Sequence, residues 1–361
     1  AALTNTDIPA AFVNGIYGQM VETGTGGTDL FHDDFGQKGY DIYGDMLSGD
    51  MALSVSTYGW YRSDITEFQA PLDFTRTRNR MVWRYYYRII RSTNNVIASL
   101  GGNDAIPEID ENKFSLGQAK AMRAHSYFYL TQYFQKEYNA SELILPLYVE
   151  PVASNVEKSS AEVIYDQMEQ DLTDAIMLLD GFSRTAKNQV NLDVAKMILA
   201  YVKGARGNDW NGAATLTQDV INAGNHSMLA PSEVTNGFAD VSTSSWLWGI
   251  DLTENIGLDL VSWWGQIDAF SYSYAWAGDY KVIDLDLYNA IPANDARKAQ
   301  FYSNAGSSRY LQPLFKFYAS NVIGGVSQTV TADYVYTYGM PRIGNKKFSE
   351  YVNSIYPDSV R

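Results

Sequence analysis

The 361-residue chain has no cysteine and only three histidines, His32, His125 and His226. The first absence excludes disulfides, thiolate metal sites and a cysteine nucleophile. The histidines lie far apart in sequence and show no ligand spacing such as H-x-x-x-H, which argues against a histidine-rich metal centre. Basic charge is also scarce: 27 Lys and Arg stand against 41 Asp and Glu, a formal net charge of −14. Such a chain makes a poor partner for nucleic acid, whose phosphates call for a basic surface. No apolar run approaches the ~18 residues that span a bilayer; the stretch from Ala195 to Val202 is short and interrupted by Lys196. The opening Ala-Ala-Leu-Thr-Asn-Thr has neither the basic nor the apolar part of a signal peptide, although a trimmed export product would read the same way. No G-x-S-x-G, G-x-x-x-x-G-K-[ST] or H-E-x-x-H occurs, and Gly24-Thr-Gly-Gly27 lacks the Lys and preceding strand of a phosphate loop.

Aromatic side chains are abundant instead, with 27 Tyr, 15 Phe and 8 Trp. Some must fill a core, and some suit a surface that contacts sugars or peptides. The length allows two domains or one large one.

The first two-thirds of the chain reads as helical. Phe12, Val13, Ile16, Tyr17 and Met20 form one apolar stripe, and Trp83, Tyr86, Tyr87, Ile90, Ile97 and Leu100 form a second. Ser115 reads as the N-cap of a third helix, whose small residues Ala119, Ala121, Ala124 and Ser126 would admit a close neighbour. Ser159 and Glu162 make a capping box before Ile164, Met168, Leu172, Ile176 and Leu179. A fifth helix runs from about Leu192 to Arg206. Gly207 then suits a left-handed C-cap and Asp209 an N-cap. The segment Gly207 to Ala213 therefore reads as a helical hairpin, either of tetratricopeptide type or generic, and irregular spacers separate it from the other hairpins. The fold class expected is mostly α, with tetratricopeptide-like hairpins forming a scaffold. Thr23 to Arg78 and the region after Ser227 read as irregular, the latter with short strands at Trp246 to Ile250 and Thr329 to Tyr338. The expected organisation is a helical scaffold over 1–225 with an inserted loop at 23–78 and a variable region over 226–361, together one compact unit. Trp83, Trp210 and Trp246 read as core.

Five segments in this order resemble the SusD/RagB family of nutrient-binding lipoproteins. They are Asp7 to Tyr17; Trp83 to Asn95, similar to W-x(3)-Y-x-x-I-x-x-x-N; Ala119 to Leu130 with Leu145-Pro-Leu147; Ser159 to Leu179, with Tyr165, Asp171, Leu172 and Ala175 in place; and the hairpin at Asp209-Trp210. Together they cover roughly residues 1 to 225, and Asp295-Ala-Arg297 resembles a D-x-R of the family's variable half. The family's closing R-x-A-E-x-x-L-x-x-A-E-A pattern does not occur before Arg361, through shortening or divergence.

The resemblance implies an outward-facing outer-membrane lipoprotein, held by an N-terminal lipidated Cys that this sequence does not contain. It would capture oligosaccharides, or in some members peptides, for a SusC-like TonB-dependent channel, without catalysis. Sugar binding of this kind needs flat rings in loops, which points to Tyr58, Trp60, Tyr61, Trp263, Trp264, Tyr272, Tyr274 and Trp276, several beside Gly or Ser. Packing beneath a long loop is the alternative for each ring. A helical scaffold binding a protein partner through its groove is a second reading. A glycosidase is a third, since 41 acids guarantee chance carboxylate pairs. His32-Asp33-Asp34, the one place where His and acids adjoin, reads as a solvated loop. Asp279, Asp284 and Asp286 could hold a structural Ca²⁺, although they do not match an EF-hand and read more simply as a solvated stretch. Net negative charge disfavours acidic polysaccharides, except near Arg76, Arg78, Arg80 and Arg84.

Overall fold

A computed structural model describes residues 6–29, 31–237, 240–252, 260–269, 273–314 and 334–337. In chain order they form α1 (Asp7–Gln19), α2 (Gln37–Ser48), β1 (Met51–Leu53), α3 (Arg62–Ile65), α4 (Gln69–Leu72), α5 (Thr77–Ser99) and α6 (Asp110–Phe134). There follow β2 (Leu143–Pro146), β3 (Lys158–Ser160), α7 (Ala161–Leu178), α8 (Leu192–Arg206) and α9 (Trp210–Ala223). The later region adds β4 (Gly249–Leu252), α10 (Trp263–Ile267), β5 (Lys281–Ile283), α11 (Leu285–Ala290) and β6 (Tyr334–Thr337). These elements pack as two compact units. The first holds the chain up to Gln19 and Tyr85–His226; the second holds Met20–Arg84 and the described residues from Ser227 onward.

The first unit is the helical scaffold that the periodicity predicts. Helices α6 and α7, α7 and α8, and α8 and α9 pack in succession, and α1 lies on α6. Local chemistry sets the boundaries. Ser160 accepts a hydrogen bond from the Val163 amide, Asn191 from Val194 and Asp209 from Gly212, each satisfying an amide that its helix leaves free. Gly207 and Gly224 end their helices in the left-handed region at φ 75° and 66°, where a Cβ would be strained. Two expected caps move. The cap before α7 is Ser160 rather than Ser159, and α6 starts at Asp110, so that Ser115 lies buried inside it.

Helix α6 is buried on all sides between Ser115 and Thr131, which its small residues permit. A Cβ on Gly117 would come within 2.9 Å of Leu179 Cγ. Its polar groups are therefore matched internally. The Arg123 guanidinium, wholly buried, donates to Asp171 Oδ2 at 2.8 Å and Oδ1 at 2.6 Å, to Asn94 Oδ1 at 2.8 Å, to Asn103 Oδ1 at 2.7 Å and to the Val149 carbonyl at 2.9 Å. Asn94, Arg123 and Asp171 are the polar residues of three separate sequence motifs, and this cluster is where the three helices carrying them meet. Lys120 pairs with Asp174, and Tyr17 bridges Gln118 and the Val190 amide.

The second unit departs from the irregular loop expected at 23–78. That stretch contains α2, delimited by Gly36 and by the left-handed Gly49, with Tyr40, Ile42, Tyr43 and Met46 buried. A high content of Gly and Asp conceals this stripe. Strand β1 pairs antiparallel with β5, Met51 opposite Ile283, and β4 pairs antiparallel with β6, Gly249 opposite Thr337. The two strand-like runs read from the sequence after Ser227 are thus partners of one another. Trp246 and Trp248, just before β4, are both buried, whereas Trp83 and Trp210 are only half-buried rather than core.

Candidate ligand-binding site

All of the following belongs to the second unit. Three short segments converge there: His32 ahead of α2, the loop after β1, and the turn at Ser273–Asp279 ahead of β5. Beyond the β1–β5 ladder the last two run side by side. The Ser54 amide donates to the Tyr280 carbonyl at 3.0 Å and the Thr57 amide to the Gly278 carbonyl at 3.0 Å. Close approach requires a glycine at 278, where φ is +115° and a Cβ would lie 2.4 Å from Thr57 Oγ1.

On this frame sit four rings. Tyr58 stacks on Trp60 with centroids 4.9 Å apart, and Tyr274 meets Trp60 edge-on at 4.4 Å and Tyr58 at 5.7 Å. His32 closes the group, stacked 5.1 Å from Tyr274 and tilted 4.9 Å from Trp60. Tyr58 is 49% exposed, and Trp60, Tyr274 and His32 are partly so. Trp276, two residues on from Tyr274, is 44% exposed. A partly wet aromatic surface of this kind offers flat apolar faces with polar edges, suited to stacking against C–H groups of a ligand that also carries hydroxyls.

The other expected site residues have different places. Tyr61 is buried, not presented to solvent. Its backbone takes φ 63°, a conformation that L-residues avoid, and its ring lies between Arg78, 4.8 Å from the centroid, and Lys281 Nζ at 5.5 Å. Burial, and after it Asp33, hold its hydroxyl pKa well above the usual tyrosine range. Trp263 is partly buried on α10. The Trp264 side chain and Tyr272 lie outside the described residues.

Nor is His32-Asp33-Asp34 a solvated loop. Both carboxylates are buried. Asp33 pairs with Arg78, while Asp34 accepts from the Gly26 and Thr28 amides, from Thr28 Oγ1 at 2.7 Å and from Tyr40 OH at 2.7 Å. The Arg cluster is correspondingly smaller at the surface, because Arg78 turns inward to Asp33 and Asp64. Sequence reasoning missed His32 as a member of the ring group. The available signal was a pair of adjacent acids, of which Asp33 takes Arg78 as its internal partner. The acids expected to hold calcium are separately engaged: Asp279 lies 3.8 Å from Lys281, and Asp284 caps α11 through the Leu287 amide. Among the described residues no three Asp, Glu or His side chains come together as a metal site. Asp295 caps the short helical turn Ala296–Gln300 and pairs with Arg297, so the D-x-R is a local capping device.

The architecture is that of the SusD-like helical-repeat proteins. A SusD-like carbohydrate-binding protein from Bacteroides vulgatus ATCC 8482 superposes with a TM-score of 0.70 at 22% identity, over 82% of this chain and 61% of that one. A laminarin-binding SusD-like protein gives 0.64 at 16% identity, over 92% and 77% of the two chains. Surface glycan-binding protein A from Bacteroides uniformis gives 0.64 at 14%, over 92% and 73%. At these identities the likeness is one of fold, and the chain spans about 61% of the length of the first of these proteins. Residues 40–199 match the SusD-like_3 family, described as "Starch-binding associating with outer membrane". The comparison with curated proteins found no match.

Proposed function

We propose that the chain captures oligosaccharides at a bacterial cell surface, without chemical conversion, and that the aromatic group of His32, Tyr58, Trp60 and Tyr274 is where the glycan lands. One observation carries this: rings from three segments far apart in sequence gather into a single, partly exposed platform. Trp276, exposed two residues beyond Tyr274, and Trp264 and Tyr272 are further candidate contacts. Support comes from the family description and from structural neighbours named for carbohydrate, laminarin and surface-glycan binding. The acids beside His32 are held in internal bonds, which favours binding over hydrolysis. Capture would serve uptake through a SusC-like TonB-dependent channel, with the protein held at the outer membrane by an N-terminal lipid. Among the described residues no helix is long and apolar enough to cross a membrane.

Native affinity electrophoresis against soluble starch, laminarin and a panel of acidic polysaccharides tests the reading. At least one neutral glycan is expected to retard the protein. Trp60→Ala should weaken that retardation by about 1 kcal/mol or more, roughly fivefold or more in affinity, through loss of a stacking face. A reducing-sugar assay on the same glycan should stay flat. Retardation by none of them would reject the glycan reading and bring peptide ligands forward. Undiminished binding by Trp60→Ala would reject the platform, and loss of partner binding that maps to the helical grooves instead would favour a protein-interaction scaffold.

A further inference from the structure

Beneath the platform lies a group of charges that the stacking chemistry does not use. Lys281 is buried to 1% exposure at the start of β5. Its ammonium donates to Gln266 Oε1 at 2.6 Å and lies 3.8 Å from Asp279 Oδ2. From those two partners the contacts run outward to the rings. Gln266 Nε2 donates to the His32 carbonyl at 3.0 Å. Asp279 Oδ1 accepts from the Tyr58 amide at 3.4 Å, and the Asp279 amide donates to the Tyr274 carbonyl at 3.1 Å. The same ammonium faces the ring of Tyr61, the residue that follows Trp60.

We propose that Lys281 is the positioning residue of the glycan platform, tying the backbones of His32, Tyr58 and Tyr274 to one buried cation through Gln266 and Asp279. This rests on the glycan reading for its purpose, although the geometry stands without it. Burying an ammonium is costly unless it is paired and hydrogen-bonded, and a lysine that only filled space here would be better replaced by methionine. Burial lowers its pKa to about 8 against the opposing pull of Asp279 and Asp33. What the cation supplies that an apolar residue cannot is a hydrogen bond to Gln266 and an ion pair with Asp279 at once. The three segments it joins are held otherwise by few ladder bonds, since β1 and β5 have three residues each. Ring spacing of 4.4 to 5.7 Å across separate segments then depends on the polar tie beneath.

The test uses protein labelled with 5-fluorotryptophan, the Trp60 resonance being assigned from Trp60→Phe and the Trp210 resonance, in the other unit, serving as control. Lys281→Met and Gln266→Met are compared with wild type by ¹⁹F NMR. Both variants should move or broaden the Trp60 line by more than its width while leaving Trp210 unchanged. Lys281→Arg, which keeps the cation, should restore the line more fully than Lys281→Met. On the glycan that retards wild type, affinity should fall about fivefold or more, a loss of about 1 kcal/mol. An unchanged Trp60 line in folded Lys281→Met overturns the proposal. Should Lys281→Met fail to fold, Gln266→Met decides: it leaves the cation beside Asp279 and severs only the His32 arm, and an unchanged Trp60 line there is equally fatal. A protein that binds no glycan would sink the proposed function while the NMR result still decides the positioning role.

Discussion

Replacing Arg123 by Met probes the joint on which the helical scaffold rests. Methionine matches the aliphatic part of the side chain and removes only the guanidinium. Asp171, fully buried, then keeps one hydrogen bond, from Gln167 Nε2 at 3.0 Å, in place of three. Breaking a buried pair from one side costs about 3 to 5 kcal/mol, because the remaining charge has no solvent to replace its partner. The Asn94, Asn103 and Val149 oxygens also lose donors. Asn94 is still anchored through Nδ2 to the Tyr148 carbonyl at 3.0 Å, so their loss overlaps with the charge effect rather than adding to it. An expected loss of about 4 kcal/mol is a large fraction of the 5 to 15 kcal/mol that domains typically possess. Urea titration followed by far-UV circular dichroism measures it. The companion variant Arg123→Met with Asp171→Leu removes both charges and should be more stable than Arg123→Met alone, giving a coupling of about 2 kcal/mol or more. The reasoning fails if Arg123→Met lies within about 1 kcal/mol of wild type, or if the two substitutions are additive.

Other consequences follow from single residues. His125 is wholly buried in α6 beside Tyr129, and burial lowers its pKa to about 3. Since the unfolded chain takes up that proton below about 6.5 and the folded one does not, stability falls with pH between 6.5 and 3, by about 2 kcal/mol at pH 5. Urea titrations at pH 7 and pH 5 should show this acid loss shrinking in His125→Phe, and equal losses in both proteins would contradict it. Gly278→Ala should lower stability through its positive φ and the Thr57 clash, and should weaken glycan binding more than the same change at the open, exposed Gly181. Asp209→Ala removes an N-cap and the partner of Lys203 at 2.6 Å, for about 1 to 2 kcal/mol in thermal or chemical unfolding.

What could be read along the chain was whatever depends on neighbours within a few residues. The end points of α8 fall at Leu192 and Arg206 as the stripe implies, Gly207 and Asp209 cap as their chemistry requires, and the motifs from Trp83 to Leu179 lie within the segment that matches the SusD-like_3 family. Helix periodicity, caps and left-handed glycines are local, so they survive in sequence. The inward turn of Arg78, the burial of Asp33, Asp34 and Tyr61, and the place of His32 are not local. Asp33 meets Arg78 across 45 positions and the Gln266 side chain meets the His32 carbonyl across 234. An acid next to a histidine looks solvated until a partner arrives from elsewhere, and a loop tyrosine looks exposed until two cations close over it. The sequence by itself determined the helical scaffold and the stock of rings. Which rings gather and which are buried was decided by the pairing of β1 with β5 together with the Gln266, Arg78 and Lys281 contacts, because chain segments so far apart in sequence are brought together by tertiary packing alone.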